Sequence, residues 1–223
     1  PVITGEGNKK TVRFHVTNKG HDVEGTVNRN GAHCIACGTP VSLDYIREEG
    51  KQGKMGAKLM AIVAEGKTGR VFVSPFPEQE DMAKNICPTW EPETDLPEKA
   101  LGFRVQIYGM NQHKQLFTKR QLNSLATYCD VICETREIIE REAKDAKIPE
   151  PILYANAITV YLALALSRWT DLSNTICSWN VTNQNIRALF SRQAIPMNWD
   201  YAELSPIHSF SDFSSLVENT SKL

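Results

Sequence analysis

The chain of 223 residues lacks most of what would declare a function outright. Its net charge is −1, so bulk charge gives no argument for a nucleic-acid partner. Its five histidines, His15, His21, His33, His113 and His208, show neither ligand nor triad spacing. A free-standing enzyme with a histidine or Cys34 as nucleophile is therefore a poor reading. The longest apolar run, Ala155 to Leu166, is broken by Asn156 and Thr159. It falls short of the roughly 20 residues that cross a bilayer, so no membrane partner is expected. There is no secretory leader ahead of the six cysteines, no internal repeat and no low-complexity tract. A hydrophobic content of 41% and a charged content of 23% fit an ordinary soluble, cytoplasmic protein of one or two domains. The start at Pro1, close to a strand-like segment, reads as a cut from something longer.

Charge is unevenly shared. Residues 1–73 hold eleven Lys/Arg against seven Asp/Glu, a balance of +4; residues 74–223 hold fourteen against nineteen, a balance of −5. A polyanion would meet the N-terminal part first. There, Lys51, Lys54, Lys58, Lys67 and Arg70 form a glycine-punctuated basic stretch around Met55–Glu65, expected as a solvated helix face, with phosphate contact as the alternative. Lys51, Lys54 and Lys58, with Lys119 and Arg120 further on, are the candidate nucleic-acid contacts.

Cysteine supplies the most specific chemical signal. Asn30-Gly31 is a hairpin turn signal, and Cys34-Ile-Ala-Cys37-Gly38 follows it directly. Two thiolates at that spacing on a tight turn are half of a zinc ribbon; zinc takes four ligands in a tetrahedron. The alternatives are a relic half-site and a redox pair. The redox role ranks last, because the pair does not open a helix that would lower a thiol pKa. Cys87 stands alone. Cys129 and Cys133 share a helix face and read as core thiols.

Periodicity outlines the elements. Thr11–Val16 and Phe103–Tyr108 alternate like strands, and Arg70–Val73 is strand-like. The acidic stretch Pro75 to Pro97 reads as a connector carrying a short helix over Glu78–Lys84. Thr118 and Gln121 form a capping box for a helix to about Lys147, with Leu122, Leu125, Cys129, Ile132 and Ile139 on its core face. Pro149-Glu150-Pro151 separates it from Ile152–Trp169, apolar on nearly every side and expected in the middle of its domain. Further helices are expected over Asn183–Gln193 and Asp212–Asn219. The fold class is α+β: a β-rich zinc-ribbon-like module over 1–75, an acidic connector over 76–101 and a mainly helical domain over 102–223.

The densest stretch is Phe190 to Glu203. Pro196 ends the preceding segment and forces an extended exit, which brings Arg192, Gln193, Asp200 and Glu203 to one corner. Such a corner more often braces a fold than catalyses a reaction. Trp199, flanked by Met197 and Tyr201, is expected to be buried, with Arg192, Asp200 and Glu203 in paired contacts.

Four stretches together give the chain a recognisable pattern: Gly25-Thr-Val with Cys34-x-x-Cys37-Gly38; Tyr45-Ile-Arg-x-Glu-Gly50 running into Gly56-Ala-Lys-Leu-Met60; Tyr108-Gly109 with Leu116-Phe117-Thr118-x-Arg120-Gln121-Leu122; and Tyr161-Leu-Ala-Leu-Ala-Leu-Ser-Arg168 with Phe190–Glu203. In order and spacing the chain resembles the prokaryotic adenine-specific DNA methylases that contain a zinc ribbon. The matched positions include Phe117, Thr118, Gln121, Arg192, Gln193, Pro196, Met197, Trp199, Asp200 and Glu203. The family's Asn-Pro-Phe near the end is here Ser205-Pro206-Ile207.

The resemblance implies S-adenosylmethionine and DNA as cofactor and substrate of the full-length protein, in a restriction-modification or phage-defence setting. It also implies what this segment lacks. An amino-methyltransferase needs a glycine-rich turn for the cofactor and an Asp/Asn/Ser-Pro-Pro-aromatic loop for the flipped adenine. Cys87-Pro-Thr-Trp90, Ser74-Pro-Phe-Pro77 and Ser205-Pro-Ile-His208 do not meet the second pattern. The expectation is an internal segment without cofactor or catalytic residues of its own, with zinc held, if at all, by Cys34, Cys37 and ligands ahead of Pro1. It would contact DNA or brace the remaining parts of the methyltransferase. The alternative is a non-enzymatic scaffold within a modification or defence system.

Overall fold

The chain falls into two units, Pro1–Asn85 with Val105–Met110, and Ile86–Arg104 with Asn111–Leu223. The computed structural model describes residues 1–6, 9–19, 25–191, 193–207 and 211–222. His21, Arg192 and His208 lie outside the described residues. The class is α+β, with small antiparallel sheets and five α-helices among the described residues. The expected connector 76–101 is shared between the units.

The first unit is built from short hairpins. β1 (Val2–Thr4) pairs with β2 (Thr11–Arg13), and β3 (Val27–Asn28), β4 (Gly31–His33) and β5 (Pro40–Val41) form a three-stranded sheet. In the β3–β4 turn Asn28 Oδ1 accepts from the Asn30 N–H at 2.8 Å, and Asn28 faces Gly31 across the ladder. Ser42 caps α1 (Leu43–Lys51) by accepting from the Tyr45 N–H at 3.1 Å. The basic stretch is not a helix. It leaves α1 as irregular chain and enters the hairpin of β6 (Ile62–Gly66) and β7 (Gly69–Val73), because Gly53, Gly56 and the Gly66–Gly69 turn interrupt any helical run. The short helix after Pro75 forms as expected: α2, Pro77–Lys84.

Phe103–Tyr108 is not a strand. Val105 is fully buried and accepts from the Tyr108 N–H at 3.0 Å, making a 3-10 turn over Gln106–Tyr108 that closes on Gly109 at φ 89°. Gly50 of α1 packs against this turn so tightly that a Cβ would lie 2.7 Å from the Tyr108 carbonyl oxygen. Apart from Gly50 and Val105, no described residue of this unit is buried. Its described residues thus form no hydrophobic core of the kind that stabilises small domains.

The second unit holds the core. The capping box is present: Thr118 Oγ1 accepts from the Gln121 N–H at 3.1 Å and Gln121 Oε1 from the Thr118 N–H at 2.8 Å. It opens α3 (Lys119–Asp145), and left-handed Lys147 and Glu150 turn the chain into α4 (Pro151–Leu172). Ile132, Ala165, Leu166, Trp169 and Leu172 pack with Leu216 of α5 (Phe213–Thr220), which starts at Asp212 as expected. Cys129 and Cys133 are exposed, not core thiols: they lie at the edge of the helix while Ile132 takes the buried position. Nor does α4 sit in the middle of its domain. α3 and α5 cover one side only, and 17% of its most apolar window is buried. At 22 residues the helix is, by length and composition, sufficient to cross a membrane, unlike the broken run read from sequence.

The segment expected as a third helix is a hairpin, β8 (Ser178–Asn180) and β9 (Asn185–Arg187), followed by a 3-10 turn over Leu189–Ser191. Asparagines decide it: Asn180 Oδ1 at the end of β8 accepts from the Asn183 N–H in the turn at 3.4 Å, Gln184 is left-handed at φ 48°, and Trp179 pairs with Ile186. The hairpin is hung from α4 by a buried amide. Asn174 Nδ2 donates to the Thr170 and Asp171 carbonyls at 3.0 and 3.2 Å, and its Oδ1 accepts from the Ile176 and Cys177 N–H groups at 2.9 and 3.1 Å. Removing it orphans helix-end carbonyls and turn donors where water is excluded. Asn174→Ala is expected to cost at least about 2–3 kcal/mol. Urea unfolding checks this; a midpoint equal to wild type would refute it.

Candidate functional site

Three groups of residues stand out from the sequence: the cysteine pair as metal ligands, the basic positions as nucleic-acid contacts and the Pro196 corner as a structural brace. β4 and β5 place the cysteines in a tight loop. The Gly38 N–H donates to the Cys34 carbonyl at 2.7 Å, the Cys34 N–H donates to the Thr39 carbonyl at 2.9 Å, and Gly38 takes φ 74°. The Cys37 sulfur lies 3.1 Å from Thr39 Oγ1. Hydrogen bonds from the Thr39 hydroxyl, from the Thr39 backbone and from Cys34 lower the Cys37 thiol to a pKa of about 7. Cys37 is exposed and Cys34 half-buried. Among the described residues no group of three or more His, Cys, Asp and Glu is placed to hold a metal. The donor set fits zinc at two positions of a tetrahedron, with a thiol already inclined to ionise.

A glycine-rich turn onto a helix N-terminus is what S-adenosylmethionine would need. Of the described turns, Gly66–Gly69 leads from β6 into another strand, and β5 enters α1 through Ser42 without a glycine. Neither offers a glycine-rich turn onto a helix N-terminus.

Acids neutralise most of the basic candidates. Lys51 pairs with Glu48 at 2.8 Å, Lys54 with Glu49 at 3.1 Å and Lys58 with Glu80 at 2.7 Å. Glu80 also accepts from the Leu59 N–H, and the Lys58 hydrogen bond holds its carboxyl below the ordinary value. Arg120 is committed to Glu203. Lys119 is exposed and forms no ion pair among the described residues.

The corner is organised differently from the expectation. Pro196 does send the chain out extended, and it runs beside β8: Tyr201 bridges Ser178, the Ala202 N–H donates to the Cys177 carbonyl at 3.0 Å, and Asn198 Nδ2 donates to the same carbonyl at 2.9 Å. Trp199 is 54% exposed rather than buried, because that pairing turns Tyr201 inward instead. Asp200 and Gln193 are exposed, and Asp200 forms no ion pair among the described residues. Met197 is half-buried. The paired acid is Glu203. Its two oxygens accept from Arg120 Nε and Nη2, each at 2.6 Å, a fork that joins residues 83 apart in sequence. The Glu203 hydrogen bond raises the Arg120 pKa, and burial raises that of Tyr201 beside it.

No family model, curated protein or solved structure matches the chain. The resemblance rests on its motifs, and the fork connects two of them: Arg120 belongs to Leu116–Leu122 and Glu203 to Phe190–Glu203. Phe117, Thr118 and Gln121 are brought to the same end of α3, where Gln121 is fully buried, its Nε2 without a partner among the described residues. Sequence reasoning missed Asp171 and Asn174. Asp171 accepts from the Phe190 N–H at 2.8 Å and pairs with Arg168, fixing where the corner segment begins. An Asx pair three residues apart at a helix end was the available signal.

Two outcomes are expected. Arg120→Ala or Glu203→Ala should lower stability by about 1–3 kcal/mol, between an open and a fully buried pair, whereas Asp200→Ala should fall within about 0.5 kcal/mol of wild type. Thermal denaturation of the three variants checks the ranking. Separately, in metal-free protein the alkylation rate of Cys37 should follow its thiolate, with a midpoint near pH 7, and Thr39→Val should raise that midpoint. Mass spectrometry of alkylated peptides across pH reads both, and a midpoint that Thr39→Val leaves unmoved refutes the assignment to the hydroxyl.

Proposed function

We propose that the chain is the accessory region of an S-adenosylmethionine-dependent DNA adenine-N6 methyltransferase, bracing the catalytic part without supplying its chemistry. The observation that carries this reading is the Arg120–Glu203 fork, because it locks together two of the stretches that bear the resemblance. A brace needs multiply bonded joints with little access to water, and the buried Asn174 and Asp171 and the half-buried Glu203 are such joints.

Bracing is favoured over direct DNA contact by the paired state of Lys51, Lys54, Lys58 and Arg120. A phosphate would have to displace a carboxylate at each, which offsets much of the gain from counterion release. In the first unit Cys34 and Cys37 would provide half of a structural zinc site. A metal would supply the stabilisation that the missing core does not. A second reading, a non-enzymatic interaction module of a modification or phage-defence system, is favoured by the exposed apolar side of α4.

The test is genetic and chemical together. The isolated chain should show no methyl transfer to DNA above background. In cells, disrupting the reading frame that encodes it should remove a set of N6-methyladenine positions, and Glu203→Ala should reduce them at least severalfold. Methylation mapping of intact, disrupted and variant strains measures this. An unchanged adenine methylome after disruption would overturn the methyltransferase reading and leave the interaction module.

A further inference from the structure

Cys129 and Cys133 have the spacing of core residues, yet both are exposed and both thiols are free. They lie four residues apart near the middle of the 27-residue α3, on one face and one turn from each other. The two sulfurs also feel each other electrostatically. The Cys129 thiol is pushed above its ordinary value, first by partial burial, then by the charges of Asp130 and Cys133. Asp130 and Glu134, each one residue beyond a cysteine, are exposed and form no ion pair among the described residues. Negative charge therefore stands beside the pair.

Helix geometry decides what two such thiols can do. Cβ atoms at this spacing are about 5–6 Å apart. A disulfide needs them at about 3.5–4.5 Å, so the helix holds the pair apart as a dithiol. A metal ion fits where the direct bond does not. With bonds near the ~2.3 Å of a zinc thiolate, a linear S–metal–S unit spans roughly 4.6 Å, which two sulfurs reach by leaning toward one another. Among the described residues no third His, Cys, Asp or Glu is placed with them to hold a metal. Zinc, which takes four ligands, is poorly served by such a pair. A soft ion that accepts two thiolates is matched by it.

We propose that Cys129 and Cys133 form a two-coordinate site for copper(I) on the outside of α3, bound as a dithiolate. Binding forms two S–Cu bonds and releases the two thiol protons to solvent. The metal enters and leaves as copper(I), so nothing is oxidised or reduced. One helix supplies both ligands, and the site needs neither a second element nor a second copy. The exposed acids Asp130 and Glu134 favour the approach of a cation. The inference stands independently of the methyltransferase reading, since it uses neither the shared motifs nor the Cys34–Cys37 loop.

Anaerobic competition for copper(I) against the chelator bicinchoninate tests it on the whole chain. Because Cys34 and Cys37 are a second thiol pair, the measurement is made in Cys34→Ser/Cys37→Ser, which alters only the other unit. That chain should take up one copper(I), with its mass in solution unchanged, and X-ray absorption should report two sulfur neighbours. Adding Cys129→Ser or Cys133→Ser should weaken uptake at least tenfold, with circular dichroism unchanged because both positions are exposed. Adding Cys87→Ser should leave uptake as it was. Spacing is read by Cys133→Ser with Glu134→Cys, which keeps two thiols but turns the second about 100° around the helix and should not restore binding. No uptake by Cys34→Ser/Cys37→Ser, uptake that survives the loss of either helix thiol, or recovery in the shifted variant overturns the proposal. So does a mass that doubles with copper, which would put the ion between two copies.

Discussion

At the C-terminal end of α4 a single side-chain amide holds four backbone groups. Asn174, itself fully buried, donates from Nδ2 to the Thr170 and Asp171 carbonyls and accepts at Oδ1 from the N–H groups of Ile176 and Cys177. The direction of the chain beyond the helix follows from it. β8 leaves along one line, the extended run from Pro196 lies down beside it, and Glu203 arrives where Arg120 at the start of α3 can grip both oxygens. Asp171, one turn earlier, holds the Phe190 N–H and sets the other end of the same segment. Burial pushes the neighbouring Cys177 thiol up to about 11, in keeping with a sulfur that serves packing and a hydrogen bond to the Asp171 carbonyl.

The two units are stabilised by different physics. In the helical unit Trp169, Leu166 and Leu172 meet Ile132 and Leu216, and Tyr128 lies against Phe213 with ring centroids 4.4 Å apart. Among its described residues the first unit has hairpins, glycine contacts and surface ion pairs in place of a core. Ion pairs of that kind contribute only about 0–1 kcal/mol each. Its one chemically pointed feature is the Cys34–Cys37 loop, where backbone and hydroxyl donors favour the thiolate. A covalent or metal staple is the usual answer to such a shortage of buried surface.

Charge and apolarity are distributed in a way that bears on partners. Positive side chains beside α1, α2 and the start of α3 are largely spent on neighbouring acids. The uncharged length of α4 is instead left open. Among the described residues the apolar side of α4 is thus more open than these paired cations.

By itself the sequence determined what depends on neighbours in the chain. The Thr118–Gln121 box, the helix after Pro75, the proline break at Pro151, the Asp212 cap and the Cys34 loop are local, since their donors and acceptors lie within a few residues of one another. Tertiary structure decided the rest. Phe103–Tyr108 alternates like a strand, yet no strand lies beside it and Gly50 presses it into a turn. Ile186 and Leu189 have helical spacing, yet the asparagines on either side close a hairpin. α4 is apolar all round, and only the count of helices packed on it shows that one side stays bare. At the corner, sequence proximity suggested that Arg192, Asp200 and Glu203 pair with near neighbours; Glu203 is paired, but across the fold, and Asp200 is exposed. The partner was Arg120, 83 residues before Glu203, and a salt bridge between distant segments is written in the path of the backbone, which no local pattern records.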